Sequence, residues 1–515
     1  MRCPTLTLLL PALLLALTGA GPTGSLPVTT TTTTTDPTSA SPWFPTPASM
    51  ACAELSYLLA PATYRSAARS DTAFNLINTR STPRCTVFPR STDDVSRAMR
   101  VIFRHQARYA VQSGGHSGMQ GWDTVSDGVL IHLSQMRGID YDADRRTVTF
   151  GPGVRWGEVY NATAPHGVSV LGGRVGVVGT GLLLGGGLSF LSPQYGYASD
   201  QLVEVDVVLV DGRIVRASSR ENVDLFRAIK GGGGRFGIVT RWQARAVETG
   251  TENDKHWYGG NIYYAEGQIE QVLSAVDRLV ASPDDPRAAL TASFGFTQQP
   301  KLTWSGALQV FYRGDRAAFE AHYADLLAIP AAIMDVQPRS YLDATRQTPV
   351  GYEGKLSYRW WGQMTRPSPA GEKVTRFHEL WRAYRRYLVD NLHLLEMSFM
   401  SITPIKTTHV EQSYRNGGSV ISPPRGVNFA SVQHSDYLFA NRTAFPASMD
   451  VERAALGAEW SRSADARGLP LFLNEADKSQ DTFATYGAFD EMRRTYARWD
   501  PTRFSMRLQD GPKGL

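Results

Sequence analysis

A histidine stands inside a glycine turn at residues 113–118, which read Ser-Gly-Gly-His-Ser-Gly. Glycines allow backbone N–H groups to approach a ligand closely, and a run of such groups can hold a phosphate. The imidazole of His116 would lie at the edge of that loop, where it could react with the same ligand. Taken alone, the motif is more typical of an ordinary turn that carries a solvated histidine. The rest of the sequence favours the ligand-binding interpretation.

Two further glycine-rich segments follow, at residues 172–187 and 231–234. Residues 223–230 before the last of them have a helical pattern, and residues 236–240 after it have the pattern of a strand. Residues 232–237 match the G-x-G-x-x-G fingerprint of dinucleotide-binding units, but that fingerprint requires a strand, a turn and then a helix. Because the order here is reversed, the sequence predicts a different kind of cofactor-binding domain.

Regular elements around these turns are predicted from hydrophobic periodicity. Thr92 is expected to cap a helix whose apolar residues recur at helical spacing through Phe103. The turn Asp211-Gly212 joins two β-rich runs and indicates a hairpin. Beyond residue 250, alternating segments such as 289–296 and 302–312 predict antiparallel strands with helices between them.

The three glycine segments, in this order, resemble those of the FAD-linked oxidases of the vanillyl-alcohol oxidase superfamily, specifically the berberine-bridge-enzyme-like branch. The resemblance covers about residues 80–245 and resumes near the C-terminus. It implies an α+β fold, with a PCMH-type FAD-binding domain and a substrate domain whose antiparallel sheet is backed by helices. It also implies that the cofactor is FAD.

The resemblance assigns cofactor-binding roles within all three segments. His116 corresponds to the residue bonded covalently to the flavin 8α-methyl group, and Gly173 to the position that controls oxygen access to the flavin. Many members also bond a cysteine to flavin C6, but Val175 stands at that position, so a single covalent attachment is expected. The other expected cofactor-binding residues are Ser113, Gly114, Gly115, Ser117, Gly179, Thr180, Gly181, Gly237 and Val239.

Residues 472–475 resemble the family's Tyr-x-Asn-Tyr motif beside the flavin ring. Asn474 is kept, but Phe472 and Glu475 replace the two tyrosines, the second of which is the catalytic base in sugar-oxidising members. Oxidation of an alcohol requires hydride transfer to flavin N5 and removal of the hydroxyl proton by a nearby base. We expect Glu475 to be that base and Asn474 to fix the approach to the flavin edge. A surface glutamate that pairs with Lys478 is the alternative.

The predicted function is FAD-dependent oxidation of a small alcohol or secondary metabolite, with dioxygen as acceptor and hydrogen peroxide as product. The sequence leaves open whether the protein is an oxidase or a dehydrogenase. The alternatives are a secreted flavin-carrying binding protein without turnover and an oligosaccharide oxidase. Basic residues are dispersed in a chain of net charge +5, so nucleic-acid binding is not expected. No metal site is predicted, and the oligomeric state stays open.

The N-terminal sequence predicts secretion. Residues 1–20 combine a basic residue, an apolar run and small residues, as in a signal peptide, and no apolar run in the chain is long enough to cross a membrane. In an oxidising compartment, Cys52 and Cys85 are expected to form a disulfide, with two free buried thiols as the alternative. Asn161 and Asn441 lie in sequons and are expected glycosylation sites.

Composition predicts a Thr/Pro/Ser-rich linker at 21–50, after the signal peptide at 1–20. The resemblance implies the rest of the division: the FAD-binding domain at 51–248 with its core at 80–248, the substrate domain at 249–440, and a segment at 441–515 that returns to the FAD-binding domain. In the substrate domain, Trp304, Tyr358, Trp360 and Trp361 could stack on a substrate, although core packing is the expected role of most of them.

Overall fold

The structure is a computed structural model that describes residues 45–66, 72–348 and 356–515. The predicted signal peptide and the linker as far as residue 44 lie outside the described residues. The linker predicted to reach residue 50 ends earlier, because a helix begins at Pro47 and is capped by Thr46. Within the described ranges, no helix has the length and apolar character that a membrane span requires.

Residues 45–248 build two main sheets with helices packed around them. The strands are β1 (Tyr64–Ser66), β2 (Cys85–Val87), β3 (Tyr109–Gln112), β4 (Val129–His132), β5 (Ile139–Asp142), β6 (Thr147–Phe150), β7 (Val168–Ser169), β8 (Leu202–Val208), β9 (Ile214–Ser218), β10 (Ile238–Arg245) and β11 (Val247–Glu248). The helices are α1 (Pro47–Leu58), α2 (Leu76–Thr79), α3 (Thr92–Arg104), α4 (Trp156–Thr163), α5 (Ser192–Tyr195) and α6 (Val223–Ile229). One sheet has the order β1-β2-β4-β3 and the other the order β5-β6-β10-β8-β9, while β7 pairs with β11.

Local sequence explains most of these elements. Helix α3 buries Val95, Met99 and Ile102 on one face, as its periodicity predicts. Its cap is Ser91 rather than Thr92, because Ser91 Oγ accepts a hydrogen bond from the Asp94 N–H at 3.2 Å. The predicted hairpin is present, with β8 and β9 antiparallel on either side of the turn.

Residues 249–440 build a seven-stranded antiparallel sheet. Its strands are β12 (Trp257–Ala265), β13 (Ala288–Thr297), β14 (Thr303–Arg313), β15 (Ile333–Arg339), β16 (Tyr358–Thr365), β17 (Leu395–Ile405) and β18 (Phe429–Leu438). Their order in the sheet is β15-β12-β14-β13-β17-β18-β16. The helices of this region are α7 (Ile269–Ala281), α8 (Arg316–His322), α9 (Ala324–Leu327), α10 (Tyr341–Thr345), α11 (Arg376–Asn391) and α12 (Thr407–Arg415).

The two faces of this sheet differ in chemistry because strand side chains alternate. In β13, Ala292 and Phe294 pack in the core under the helices. Thr291 and Ser293 lie on the opposite face, which lines a cavity. The sheet therefore presents an apolar face to its helices and a hydroxyl-bearing face to the first region.

Residues 441–515 do not all return to the FAD-binding domain as predicted, because their first part packs on the substrate region. Helix α13 (Ala447–Ser463) buries Met449 and Trp460 in the core of the substrate region, so the predicted boundary at 440 is wrong. From Leu473 onward the chain packs into the core of the first region, through Phe483 among others. Its last helices are α14 (Phe489–Trp499) and α15 (Phe504–Leu508).

Cys52 and Cys85 form a disulfide, as predicted, and the bond joins α1 to β2 across 33 residues of sequence. Both cysteines are buried. The cross-link therefore ties the N-terminal helix to the sheet that carries β3, the strand just before the glycine turn.

We expect the variant Cys52→Ala/Cys85→Ala to lose about 2–4 kcal/mol in the free energy of unfolding, since the cross-link restricts the unfolded chain. Urea unfolding followed by tryptophan fluorescence measures the loss. The unmutated protein unfolded with a reductant present should show a similar loss. An unfolding midpoint that neither the substitutions nor the reductant changes would contradict the prediction.

Candidate functional site

A cavity of about 510 Å³ lies between the glycine segments and the hydroxyl-bearing face of the seven-stranded sheet. A volume of this size is typical of cofactor and small-molecule sites. All of the residues predicted to bind cofactor line it, as do both predicted catalytic residues: Ser113, Gly114, Gly115, His116, Ser117, Gly173, Gly179, Thr180, Gly181, Gly237, Val239, Asn474 and Glu475. The fold thus brings together segments that are up to 362 residues apart in sequence.

The floor of the cavity is a contact between two backbones. A Cβ atom on Gly114 would lie 2.6 Å from the backbone nitrogen of Gly179, which no side chain could tolerate. Hydroxyl groups on both segments hold them in place: Ser113 Oγ and Thr180 Oγ1 donate to the Pro152 carbonyl at 2.6 and 3.0 Å. These two glycines are therefore required by close approach.

His116 is half-buried among aromatic side chains. Its ring centroid lies 4.9 Å from that of Phe74 and 6.1 Å from that of Trp360. The Tyr358 hydroxyl donates to the His116 carbonyl at 3.3 Å. The imidazole is thus placed beside the glycine loop, on a wall of the cavity.

Of the four aromatic residues predicted as possible stacking partners, Trp360 is the one that lines the cavity. Trp304 packs against Phe296 and Trp381 instead. The indole of Trp360 lies directly over Gly118, where a Cβ atom would meet its ring at 2.3 Å. Trp360 therefore occupies the space beside the glycine turn, and Gly118 leaves room for it.

Asn474 and Glu475 lie on a short 3₁₀ helix, Leu473–Glu475. Asn474 Nδ2 donates to the Leu182 carbonyl at 3.0 Å, which fixes the amide against the second glycine segment. Glu475 Oε2 accepts a hydrogen bond from Ser431 Oγ at 2.8 Å. Its other oxygen lies 3.5 Å from Arg174 Nη2. The alternative in which Glu475 pairs with Lys478 at the surface is therefore wrong.

Burial raises the pKa of Glu475, while the nearby Arg174 cation and the Ser431 hydrogen bond oppose that rise. Burial lowers the pKa of Arg174. The result is a sheltered carboxylate at the cavity wall whose ionisation is favoured by a neighbouring cation and a hydrogen bond, an environment in which a carboxylate can act as a base.

Sequence reasoning missed Asp123, a buried acid on the cavity wall. Its Oδ1 accepts from Asn78 Nδ2 at 2.9 Å, and its Oδ2 has no hydrogen-bond partner among the described residues. Burial raises its pKa to about 7. No local signal marks this residue, because its burial depends on partners as distant as Asn78.

The residues present fit a bound FAD. Three buried polar atoms at the cavity, Trp242 Nε1, Gln309 Nε2 and Gln509 Oε1, have no hydrogen-bond partner in the part of the chain that the structure describes. Buried polar atoms are normally satisfied, so such atoms indicate a ligand that bonds them. The glycine segments provide the backbone surface that a dinucleotide requires.

This α+β fold, with a glycine-lined cavity under an antiparallel sheet, is that of a PCMH-type FAD-binding protein. Residues 83–218 match a family model described as an FAD binding domain. Bifunctional solanapyrone synthase of Alternaria solani is 30% identical over 438 residues, which cover 83% of this chain and 81% of that protein. The chain belongs to this family of FAD-linked oxidoreductases, as the glycine segments predict.

Other matches extend over less of the chain or show the fold alone. An uncharacterized FAD-linked oxidoreductase of Arthroderma benhamiae is 38% identical over 224 residues, 43% of this chain and 44% of that protein. The chain thus matches only about half the length of this relative. Xylooligosaccharide oxidase from Myceliophthora thermophila superposes with a TM-score of 0.69 at 19% identity, over 90% of this chain and all of that one. Berberine bridge enzyme gives 0.68 at 16% identity, over 90% and 99%. The predicted fold is confirmed.

Asp123→Asn should remove part of the pH dependence of stability. With its pKa raised from 3.8 to about 7 by burial, the folded protein holds a proton that the unfolded chain releases. This contribution to stability is complete below about pH 4 and declines as the pH rises to about 7. The uncharged asparagine cannot ionise, so its variant should lose less stability over that range.

Urea midpoints measured at intervals from pH 4 to 8 compare the two proteins. The exposed Asp144→Asn is the matched control and should follow the unmutated protein. If the Asp123→Asn and unmutated curves decline in parallel, the buried carboxyl does not titrate as inferred.

Proposed function

We propose that the protein is a secreted FAD-dependent oxidoreductase that oxidises a small alcohol or secondary metabolite, with dioxygen as the electron acceptor. One observation carries the proposal: residues of all three glycine segments and the buried Glu475 carboxylate line the same cavity. The names of the relatives, FAD-linked oxidoreductase among them, support the class of reaction. The Cys52–Cys85 disulfide supports an oxidising compartment.

FAD would be held by the 113–117 loop, the 173–181 segment, Gly237 and Val239, with one covalent bond through His116. A flavin held there would supply the hydride acceptor for the alcohol carbon and the route for the electrons to dioxygen, with hydrogen peroxide as the product. Val175, at the cavity wall, cannot form a second bond of the cysteinyl kind.

The protein's part in the reaction is to take the hydroxyl proton and to hold the substrate. Glu475 would accept the proton on its carboxylate, which Ser431 and Arg174 keep in place. Asn474, fixed by the Leu182 carbonyl, would limit how the substrate approaches. Removal of the proton by a positioned base leaves the carbon–hydrogen bond ready to break as a hydride.

The sheet face above the cavity favours an uncharged substrate that carries several oxygen atoms. The side chains that line it are neutral hydrogen-bonding groups together with aromatic rings: Thr291, Ser293, Ser401, Gln433, Ser435, Phe399 and Tyr437. An aromatic alcohol would use both kinds of contact. A sugar would use the hydroxyl-bearing side chains, so an oligosaccharide is the second candidate substrate. An anaerobic screen of alcohols, lactols and cyclic amines that follows flavin bleaching separates these candidates from a flavin-carrying protein without turnover.

His116→Ala should leave the flavin bound but extractable, because the glycine loops still hold the cofactor while the covalent bond is lost. Acid precipitation should release the yellow colour from this variant only, and His166→Ala, an exposed histidine outside the cavity, should retain it. Peptide mapping of the unmutated protein should find the flavin mass on the His116 peptide alone. Colour released by acid from the unmutated protein, or an adduct on a cysteine peptide, would contradict the proposal.

Glu475→Gln should slow anaerobic flavin reduction about 10²–10⁴-fold, the usual contribution of a general base. Stopped-flow absorbance measures the rate, and the covalent link should stay intact. Asp477→Asn is the matched control: this carboxylate is two residues away and pairs with Arg453 outside the cavity, so its loss should change the rate only a few-fold. A Glu475→Gln rate within a few-fold of the parent would move the base to another group, with Tyr437 on the cavity wall as the candidate.

A further inference from the structure

Arg174 is fixed between the two halves of the cavity. It belongs to the second glycine segment, and its side chain is only 17% exposed. Its Nη1 group donates to the hydroxyls of Thr291 on β13 and Thr403 on β17, the latter at 3.0 Å. Its backbone carbonyl accepts from Thr348 Oγ1 at 2.8 Å. Two contacts with the substrate region thus hold the guanidinium, and a third holds the backbone of Arg174.

The guanidinium faces Glu475 across 3.5 Å, and the glutamate side chain is only 12% exposed. A carboxylate removed from water to this degree becomes protonated unless a cation or hydrogen-bond donors compensate. A protonated carboxyl group could not accept a proton from the substrate. The compensation is therefore a condition for the proposed role of Glu475.

The compensating groups come from different elements. Ser431 on β18 donates a hydrogen bond to the carboxylate. Gly362 on β16 lies against the backbone of Glu475 and brings no side chain that could compensate the charge. The other titratable side chains at the cavity are His116, Asp123, Tyr263 and Tyr437, and Arg174 is the one lysine or arginine among the described residues that line it. The permanent positive charge near Glu475 thus comes from Arg174.

We infer that Arg174 is a positioning residue that keeps the buried Glu475 ionised, so that the base can accept a proton at neutral pH. This inference rests on the proposed function, in which Glu475 is the base. An alternative role for Arg174 is direct binding of an anionic substrate. The threonine and glutamate contacts of the guanidinium favour pairing with Glu475 over that role.

Infrared difference spectra recorded against pH test the charge of Glu475 without using activity. The unmutated protein should show a protonated-carboxyl band that is absent from Glu475→Gln and that appears as the pH falls. In Arg174→Gln the same band should persist to higher pH. Arg241→Gln is the matched control, because Arg241 is a half-buried arginine that pairs with Asp206 outside the cavity, and it should leave the band unchanged. A Glu475 band with the same midpoint in Arg174→Gln and the unmutated protein overturns the inference.

The rate of anaerobic flavin reduction tests the consequence for the reaction. At pH 7 the rate of flavin reduction by Arg174→Gln should fall about 10-fold or more, and it should recover as the pH is raised. The reason is that an opposite charge at this distance lowers the pKa of a carboxylate by about one or more. A loss that is the same at every pH and appears as weaker substrate binding would overturn the inference in favour of direct anion binding.

The two measurements separate the inference from the proposed function. Suppose that the pH midpoint of the infrared band is higher in Arg174→Gln, while flavin reduction in Glu475→Gln proceeds at the parental rate. Arg174 then controls the charge of Glu475, but Glu475 is not the base. If Arg174→Gln does not fold, the variant Arg174→Gln/Glu475→Gln decides. Recovery of folding supports the inference, because both charges of a coupled pair are then removed together; failure to recover overturns it.

Discussion

The contact between the backbones of Gly114 and Gly179 is the constraint on which the cavity depends. Neither position has room for a Cβ atom, because each would meet the other's backbone nitrogen at 2.3–2.6 Å. The contact joins the loop that carries His116 to the segment that carries Arg174 and Thr180. It thereby sets the spacing of the two glycine segments that form the floor of the cavity.

A floor made of glycine has few side chains with which to do chemistry, so reactive groups must come from elsewhere. The C-terminal segment supplies Asn474 and Glu475, and the sheet supplies hydroxyl groups such as those of Thr291 and Ser431. His116 and Arg174 are the exceptions: His116 belongs to the first glycine loop, and Arg174 reaches from the second glycine segment to Glu475 and to the sheet.

Much of this arrangement could be predicted because its signals are local. Glycine clusters, the Asp211-Gly212 turn and alternating strands depend on neighbours in sequence, and the structure places them as expected. What could not be predicted depends on distant partners. Trp360 fills the space over Gly118 from more than 240 residues away, and the burial of Asp123 requires Asn78. The choice of Ser91 over Thr92 as a cap turned on a one-residue difference in where the helix begins.

The two buried carboxyl groups at the cavity illustrate how one fold can separate acid from base. Asp123 has hydrogen-bond donors but no described ion pair, and burial raises its pKa to about 7. Glu475 has the Arg174 cation at 3.5 Å to oppose the same effect of burial. Groups whose surroundings differ in this way hold their protons over different pH ranges. In the proposed function, the position of a single arginine in a glycine segment thus decides which of the two carboxyl groups removes a proton.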